Sequence, residues 1–157
     1  MSAADSAHAA EEAVDRLAIR ELIDAYAHHA DRREPDAQAD LYAEDGRTLV
    51  YTADPSTGAE PVQVLTTREE HLEGFRGLAR YVATTHFNGQ SAVALDGDRA
   101  AAESYCLAHH VLEEDGERSL IVMAIRYLDE LVRVDGGWRF RERRLVIDWT
   151  DTRSSRP

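Results

Sequence analysis

The chain has 157 residues, which suits one domain with a single hydrophobic core. Its formal net charge of −12 argues against nucleic acid or an anionic membrane surface as a partner, because such partners are bound by basic patches. All basic residues are arginine, so Schiff-base chemistry on a lysine is excluded, and the single cysteine, Cys106, excludes an intrachain disulfide.

The N-terminal part of the chain predicts a long helix. Apolar residues recur at spacings of three and four from Glu11 to about Arg33, whereas residues 1–10 are expected to be flexible. Pro35 predicts the end of this helix, since the residue before a proline disfavours the α conformation. Proline also suits the first position of a helix, so a second, short helix is expected from Pro35 to about Tyr42.

Turn and capping residues divide the next segment. Glu44-Asp45-Gly46 predicts a turn, which a strand over residues 47–52 should follow. Thr67 and Glu70 have the spacing of a capping box, in which each side chain bonds the backbone N–H of the other. They predict the start of a third helix, over residues 68–80.

The second half of the chain predicts an antiparallel sheet. Asp-Gly turns separate stretches that have the composition of strands. These stretches are residues 84–95, 100–112, 118–134 and 138–149. Helices first and a sheet last indicate an α+β fold, with the helices covering one face of the sheet. A single domain is expected over residues 11–150, with a flexible tail over residues 151–157.

Alternation along the strands sorts their side chains between two faces. In residues 100–112 the even positions are small as far as His110, which favours His110 for a cavity and His109 for the outside, an arrangement that a bulge would reverse. The odd positions of the next two strands predict an apolar wall with one phenol and one arginine. They are Ile121, Met123, Ile125, Tyr127, Arg143, Leu145, Ile147 and Trp149.

Two further polar residues can be placed by the pattern. His86 lies near the start of the first of these strands, and histidine can exchange a proton near neutral pH. A single strand histidine is nevertheless more often packed or solvent-exposed than catalytic. Asp31 lies at the end of the first helix, where an acid is electrostatically unfavourable and a solvated turn residue is the ordinary interpretation. Structural and chemical roles therefore stay open for both.

The chain has no glycine-rich nucleotide-binding motif, no signal-peptide pattern and no apolar run of about 20 residues. We therefore expect a cytoplasmic protein that uses no cofactor.

Several segments resemble the SnoaL-like branch of the NTF2-like superfamily. They are residues 18–26 (AIRELIDAY), 41–46 (LYAEDG), 85–90 (THFNGQ), 96–100 (DGDRA) and 127–140 (YLDELVRVDGGWRF), together with Asp31. Each segment is short, but their order and spacing cover roughly residues 12–150. Within the superfamily the chain is similar to scytalone dehydratase-type, cofactor-free dehydratases.

The resemblance implies a conical α+β barrel, in which a curved sheet and the helices enclose a deep apolar pocket. It implies catalytic roles for Asp31, His86 and His110, and pocket positions for Tyr26 and Tyr51. The chain also departs from that dehydratase pattern. Ala30, Ile125 and Tyr127 stand where the pattern has a tyrosine, a serine and an asparagine. The departures bear on the substrate more than on the chemistry.

The resulting hypothesis is a lyase that removes water by general acid–base catalysis. His86 would abstract a proton α to a carbonyl, Asp31 would hold the imidazole tautomer, and His110 would protonate the departing hydroxyl. The expected substrate is a small hydrophobic hydroxy-carbonyl or polyketide-like compound. The residues expected to bind it are Tyr26, Tyr51, Met123, Ile125, Tyr127, Arg143 and Ile147.

Other functions remain open at this point. The same Asp-His dyad could serve an isomerase or a polyketide cyclase, and the superfamily also includes non-catalytic ligand-binding and assembly modules. No metal site is expected, since the adjacent His109 and His110 should diverge and no ligand spacing recurs. Residues 118–134 have apolar side chains on both faces, so we expect a homo-oligomer, a dimer or trimer, without nucleic-acid or membrane partners.

Overall fold

A computed structural model of the protein describes residues 2–156. Helices occupy the N-terminal half and long strands the C-terminal half. The helices are α1 (Ala3–Arg32), α2 (Pro35–Ala39) and α3 (Arg68–Arg76), with 3₁₀ turns at Pro55–Thr57 and Gly77–Arg80. The strands are β1 (Tyr42–Tyr51), β2 (Gln63–Leu65), β3 (Ala83–Asp96), β4 (Arg99–Glu114), β5 (Glu117–Val134) and β6 (Gly137–Ser154).

The first helix is longer than its apolar pattern predicts. It begins at Ala3, where Ser2 and Asp5 form a capping box, rather than near Glu11. The difference arises because periodicity marks only the packed part of a helix, whereas the alanine-rich start has high intrinsic helix propensity. Met1 and Pro157, at the ends of the two segments expected to be flexible, lie outside the described residues. Within the described residues, no helix has the length and apolar character needed to cross a membrane.

The sheet has six strands in the order β2-β1-β6-β5-β4-β3. Strands β3 to β6 form the predicted antiparallel meander, and β1 pairs with β6 in parallel. The α+β class is confirmed, but the sheet is open between β2 and β3 rather than closed as a barrel. Two of the predicted Asp-Gly turns, Asp115-Gly116 and Asp135-Gly136, have positive φ at both residues, as a type I′ hairpin requires.

The predicted turn at Glu44-Asp45-Gly46 is wrong, because these residues form an irregular part of β1. The register jumps from Tyr42 opposite Phe140 to Arg47 opposite Glu142, so several residues of β1 bulge against β6. A Cβ at Gly46 would lie 2.8 Å from the carbonyl oxygens of Ala43 and Phe140, so only glycine fits this close approach. The second helix ends at Ala39 rather than Tyr42, because Tyr42 already belongs to β1 and pairs with β6.

A second bulge corrects the predicted side of Trp149. Ile125 pairs with Ile147, but Ala124 pairs with Trp149, which leaves Asp148 as the extra residue. The extra residue reverses the alternation, so Trp149 points outward and is 53% exposed. The strand continues to Ser154, past the predicted end at residue 149.

The core lies between the helices and the inner face of the sheet. Ile19, Ile23 and Tyr26 of α1 pack against Phe140 and Leu131 of the sheet, and all are almost fully buried. Val14 and Leu17, which also follow the apolar pattern, are exposed, because this part of α1 turns Asp15 and Arg16 to the sheet instead.

Candidate active site

A cavity of about 220 Å³ lies between α1, α3 and the inner face of the sheet. Its wall is mainly apolar and aromatic. The wall residues include Tyr26, Ala30, Gln38, Thr48, Val50, Phe75, His86, His110, Met123, Ile125, Tyr127, Leu145 and Ile147. A larger depression of about 460 Å³ lies elsewhere on the sheet and contains no histidine. The first cavity is therefore the candidate site, since it combines apolar walls with titratable groups.

His86 and Asp31 form a tight pair at one side of this cavity. His86 Nδ1 lies 2.7 Å from Asp31 Oδ1, and the backbone N–H of His86 donates to Asp31 Oδ2 at 2.9 Å. The carboxylate thus fixes both the position and the tautomer of the ring, with Nδ1 protonated and Nε2 left as the basic nitrogen. His86 has 7% of its side chain exposed and lines the cavity.

The end of α1 presents Asp31 to β3. Arg33 adopts a left-handed conformation at φ 60°, which ends the helix one residue after the aspartate, at Arg32. Its guanidinium donates to the Thr84 hydroxyl at 2.6 Å, and that hydroxyl donates to Asp31 Oδ1 at 2.9 Å. Burial opposes ionisation of Asp31, but the hydrogen bonds from His86 and Thr84 outweigh it and lower the pKa of the carboxyl. Asp31 is therefore ionised at neutral pH.

His110 faces the same cavity, as strand alternation predicts. Its Nε2 lies 3.5 Å from His86 Nε2, and its ring stacks at 4.5 Å on Tyr81. Burial, with the nearby ring of His86, lowers the pKa of His110 to about 4. At neutral pH, His110 is a neutral imidazole that donates one N–H, rather than the imidazolium that a strong proton donor to a leaving group would require.

The low pKa of His110 predicts a loss of stability in mild acid. The folded protein keeps His110 neutral while the unfolded chain protonates near pH 6.5, so its contribution is complete above pH 6.5 and disappears as the pH falls to about 4. The expected loss of unfolding free energy is about 3 kcal/mol. Urea unfolding at several pH values should show a shallower pH dependence in His110→Phe than in the unaltered protein. The same pH dependence of the unfolding free energy in both proteins would contradict this prediction.

The structure places some of the predicted binding residues on the cavity wall and others away from it. Five of the seven line the cavity: Tyr26, Met123, Ile125, Tyr127 and Ile147. Tyr51 does not, because Thr48 and Val50 face the cavity and alternation turns Tyr51 to the other side of β1. Its assignment to the pocket is therefore wrong.

Arg143 also does not line the cavity, because it lies beneath it and is fully buried. Its guanidinium forms two hydrogen bonds of 2.8 Å with the Asp129 carboxylate. The rings of Tyr26 and Tyr127, which do line the cavity, stack on the guanidinium at 4.3 and 4.0 Å. Burial opposes its charge, but Asp129 more than compensates and raises the pKa of Arg143. Arg143 thus supports the floor of the site rather than contacting a ligand.

The sequence pattern missed the polar residues on the β1 side. Thr48 and Gln38 line the cavity, and both are 2% exposed. Behind Thr48 lies His71 of α3, also 2% exposed, whose Nε2 is 3.0 Å from the Thr48 hydroxyl. A usable signal was present: the capping box at Thr67 fixes the start of α3, and His71 stands one turn later on the side that carries Phe75.

A group of possible metal ligands lies at the end of α1, outside the cavity. The ligand atoms of His28, His29 and Glu34 all lie within 4.8 Å of one another. Glu34 already accepts a hydrogen bond of 2.7 Å from His29, and two of the three residues are exposed. This geometry is that of a hydrogen-bonded surface pair with a neighbouring histidine.

Solved structures share this fold. A protein from Novosphingobium aromaticivorans, provisionally described as a scytalone dehydratase, is 25% identical, with a TM-score of 0.76 over 92% of this chain and 91% of that one. Two others fall below that identity and show the fold alone. They are the hexachlorocyclohexane dehydrochlorinase LinA-type3 of Novosphingobium barchaimii (19% identity, TM-score 0.72, 90% and 91% covered) and Rv3472 of Mycobacterium tuberculosis (23%, 0.71, 95% and 76%).

Sequence comparison identifies the family. No curated protein matches the chain. The model of the SnoaL-like domain matches residues 11–144, which is most of the chain and includes Asp31, His86 and His110. The chain therefore belongs to the SnoaL-like domain family.

Proposed function

We propose that the protein is a cofactor-independent lyase, a dehydratase, that acts on a small hydrophobic hydroxy-carbonyl or polyketide-like compound. The observation that carries the proposal is the Asp31–His86 pair, with 2.7 Å between its ring nitrogen and carboxylate oxygen, inside an apolar cavity. The provisional description of the Novosphingobium aromaticivorans structure as a scytalone dehydratase supports the same class.

The reaction begins with proton abstraction by His86. Because Nδ1–H is held by Asp31, the Nε2 lone pair takes the proton α to the substrate carbonyl, and the carboxylate stabilises the resulting imidazolium. The negative charge then moves to the carbonyl oxygen. The neutral His110 N–H and the Tyr127 hydroxyl are donors on the cavity wall that can bind this oxygen. The imidazolium of His86 returns the proton to the departing hydroxyl, and water leaves.

These reaction steps give His110 a different role from the one that the resemblance implied. A ring with a pKa of about 4 is a poor source of a proton at neutral pH, but its N–H is a good hydrogen-bond donor to developing negative charge. We therefore assign acid and base steps to the one imidazole of His86, and charge stabilisation to His110.

An isomerase or polyketide cyclase is the second candidate, since it would begin with the same proton abstraction. A non-catalytic binding module has no need of a carboxylate on the cavity histidine, and the Asp31 pairing therefore favours an enzyme.

The experiment is a screen of hydroxy-ketones and hydroxylated aromatic polyketide analogues in D₂O. NMR detects deuterium exchange α to the carbonyl, which reports the shared abstraction step, and mass spectrometry detects loss of water. Exchange with loss of water supports a dehydratase, and exchange with rearrangement or ring closure supports the second candidate. Binding without any exchange across the series would contradict the enzyme proposal.

We also propose a homo-oligomer, because a row of apolar side chains crosses the outer face of the sheet. Phe87, Leu107, Ala124 and Trp149 are paired in register across β3, β4, β5 and β6. Phe87 is 68% and Trp149 53% exposed, and such a contiguous patch is typical of a protein interface.

Light scattering should therefore give a dimer or trimer of the 17.6 kDa chain at micromolar concentration. Phe87→Glu combined with Trp149→Glu should shift it towards the monomer, because charges would be buried at the interface. The matched control Val62→Glu alters an exposed apolar residue outside the row and should leave the mass unchanged. A monomeric unaltered protein would contradict the proposal.

A further inference from the structure

Three side chains form a continuous hydrogen-bonded chain from α3 to the cavity wall, which we call the His71 relay. His71 Nδ1 lies 2.9 Å from the carbonyl oxygen of Thr67, and His71 Nε2 lies 3.0 Å from Thr48 Oγ1. Thr48 Oγ1 lies 2.8 Å from the Tyr42 hydroxyl. The members of the relay, His71, Thr48 and Tyr42, are all buried.

The partners of the relay determine where each proton lies. The Thr67 carbonyl can only accept, so His71 Nδ1 carries a proton and donates it. Burial lowers the pKa of His71, so the ring is neutral and Nε2 is an acceptor. The Thr48 hydroxyl must therefore donate to Nε2. Since Thr48 has one proton, the Tyr42 hydroxyl must donate to Thr48.

This direction makes the Thr48 hydroxyl an acceptor, rather than a donor, towards the cavity. Thr48 lines the cavity and retains one lone pair after its two relay bonds. Tyr26 also lines the cavity and its hydroxyl is close to that of Tyr42, whose proton is already committed to Thr48. The Tyr42 hydroxyl therefore has no proton left to donate to a ligand. Gln38 has both donors and an acceptor and does not set the polarity.

The relay and the dyad lie towards opposite edges of the sheet, on the same inner face. Thr48 is on β1 and His86 on β3, and three strands lie between them in the sheet order. A ligand in the cavity can therefore contact His86 with one part and Thr48 with another.

We propose that the His71 relay selects ligands that donate a hydrogen bond from an alcohol or phenol hydroxyl placed away from the carbon that His86 deprotonates. An ether or ketone oxygen placed against Thr48 meets a lone pair and loses affinity. This inference rests on the proposed function where it calls the ligand a substrate, but the binding preference is measured without turnover.

The test is calorimetric binding of two probes, 4-ethylphenol and its methyl ether, 4-ethylanisole. An apolar cavity of about 150 Å³ holds benzene, so the 220 Å³ here suits a substituted single ring. The unaltered protein should bind the phenol about tenfold more tightly than the ether, because the ether oxygen would turn a buried lone pair towards the lone pair of Thr48 Oγ1. Thr48→Val keeps the side-chain shape and should abolish most of this preference.

Three further variants separate the relay from other acceptors. His71→Phe frees the Thr48 hydroxyl to donate to the ether, so the preference for the phenol should fall. In Tyr42→Phe the Thr48 hydroxyl still donates to His71, so the preference should persist. His86→Phe removes the acceptor nitrogen of the dyad and should leave the preference intact. Melting temperatures show whether each variant is folded. If His71→Phe does not fold, the Thr48→Val variant alone tests whether the relay sets the phenol preference.

The relay proposal is overturned if the unaltered protein binds both probes equally, or if His86→Phe removes the preference while Thr48→Val does not. These results are independent of catalysis. A phenol preference in a protein that never exchanges a proton would refute the proposed function alone, and an active enzyme with equal affinities would refute the relay alone.

Discussion

Replacing His86 by glutamine is expected to lower turnover by about 10²- to 10⁴-fold, the usual range for a lost general base. Glutamine can still donate a hydrogen bond to Asp31 Oδ1 from its amide, so the helix end and β3 stay connected, but it has no nitrogen basic enough to remove a carbon-bound proton. The loss should appear in kcat with little change in KM, because the lost interaction acts in the transition state. Stopped or continuous assays on the substrate found by deuterium exchange would measure it.

Two matched variants sharpen that result. Asp31→Asn retains the shape of the aspartate but presents an amide, so it cannot hold the His86 Nδ1 proton with a negative charge, and a comparable loss is expected. His109→Gln alters the neighbouring histidine, which pairs with Val122 on the other face of β4, and should leave turnover unchanged. A folded His86→Gln protein with near-normal kcat would refute the dyad mechanism.

Local patterns predicted the parts of this fold that depend on neighbouring residues. The Thr67–Glu70 capping box and the type I′ turn at Asp115-Gly116 are determined within a few residues of chain, and both are present. Strand alternation placed His110 in the cavity because β4 pairs with β5 without interruption. It failed for Trp149, because a bulge depends on how two strands fit together and leaves no mark in one strand's pattern.

The candidate site depends on contacts that alternation and capping do not encode. Asp31 and His86 are 55 residues apart, and only the family resemblance joined them before the structure did. Tyr51 was misplaced by the same resemblance, since an uncertainty of one residue in a strand reverses the face. Thr48 and His71 were missed because neither residue type is unusual in a strand or a helix, and their meaning comes from meeting across the fold.

Alternation turned Arg143 inward, but its ion pair with Asp129 was missed, because a pair formed across two strands is not encoded in the pattern of either strand. Both side chains are completely buried, and the pair joins β5 to β6 below the cavity. Arg143 satisfies two of its nitrogens on the carboxylate and is surrounded by the rings of Tyr26, Tyr127 and Phe140. The pair therefore supports the aromatic floor of the site without touching a ligand.

Asp129→Leu is expected to destabilise the protein by about 3–5 kcal/mol, because it leaves the Arg143 charge buried without a partner. The double variant Asp129→Leu with Arg143→Met removes both charges at similar volume, and should recover most of that loss, since desolvation of the ion pair offsets much of its attraction. Urea unfolding of the two single variants and the double variant gives the coupling energy. If Asp129→Leu cost less than about 1 kcal/mol, or if the losses simply added, the charge of Arg143 would not depend on Asp129, and the floor of the cavity would be held by packing alone.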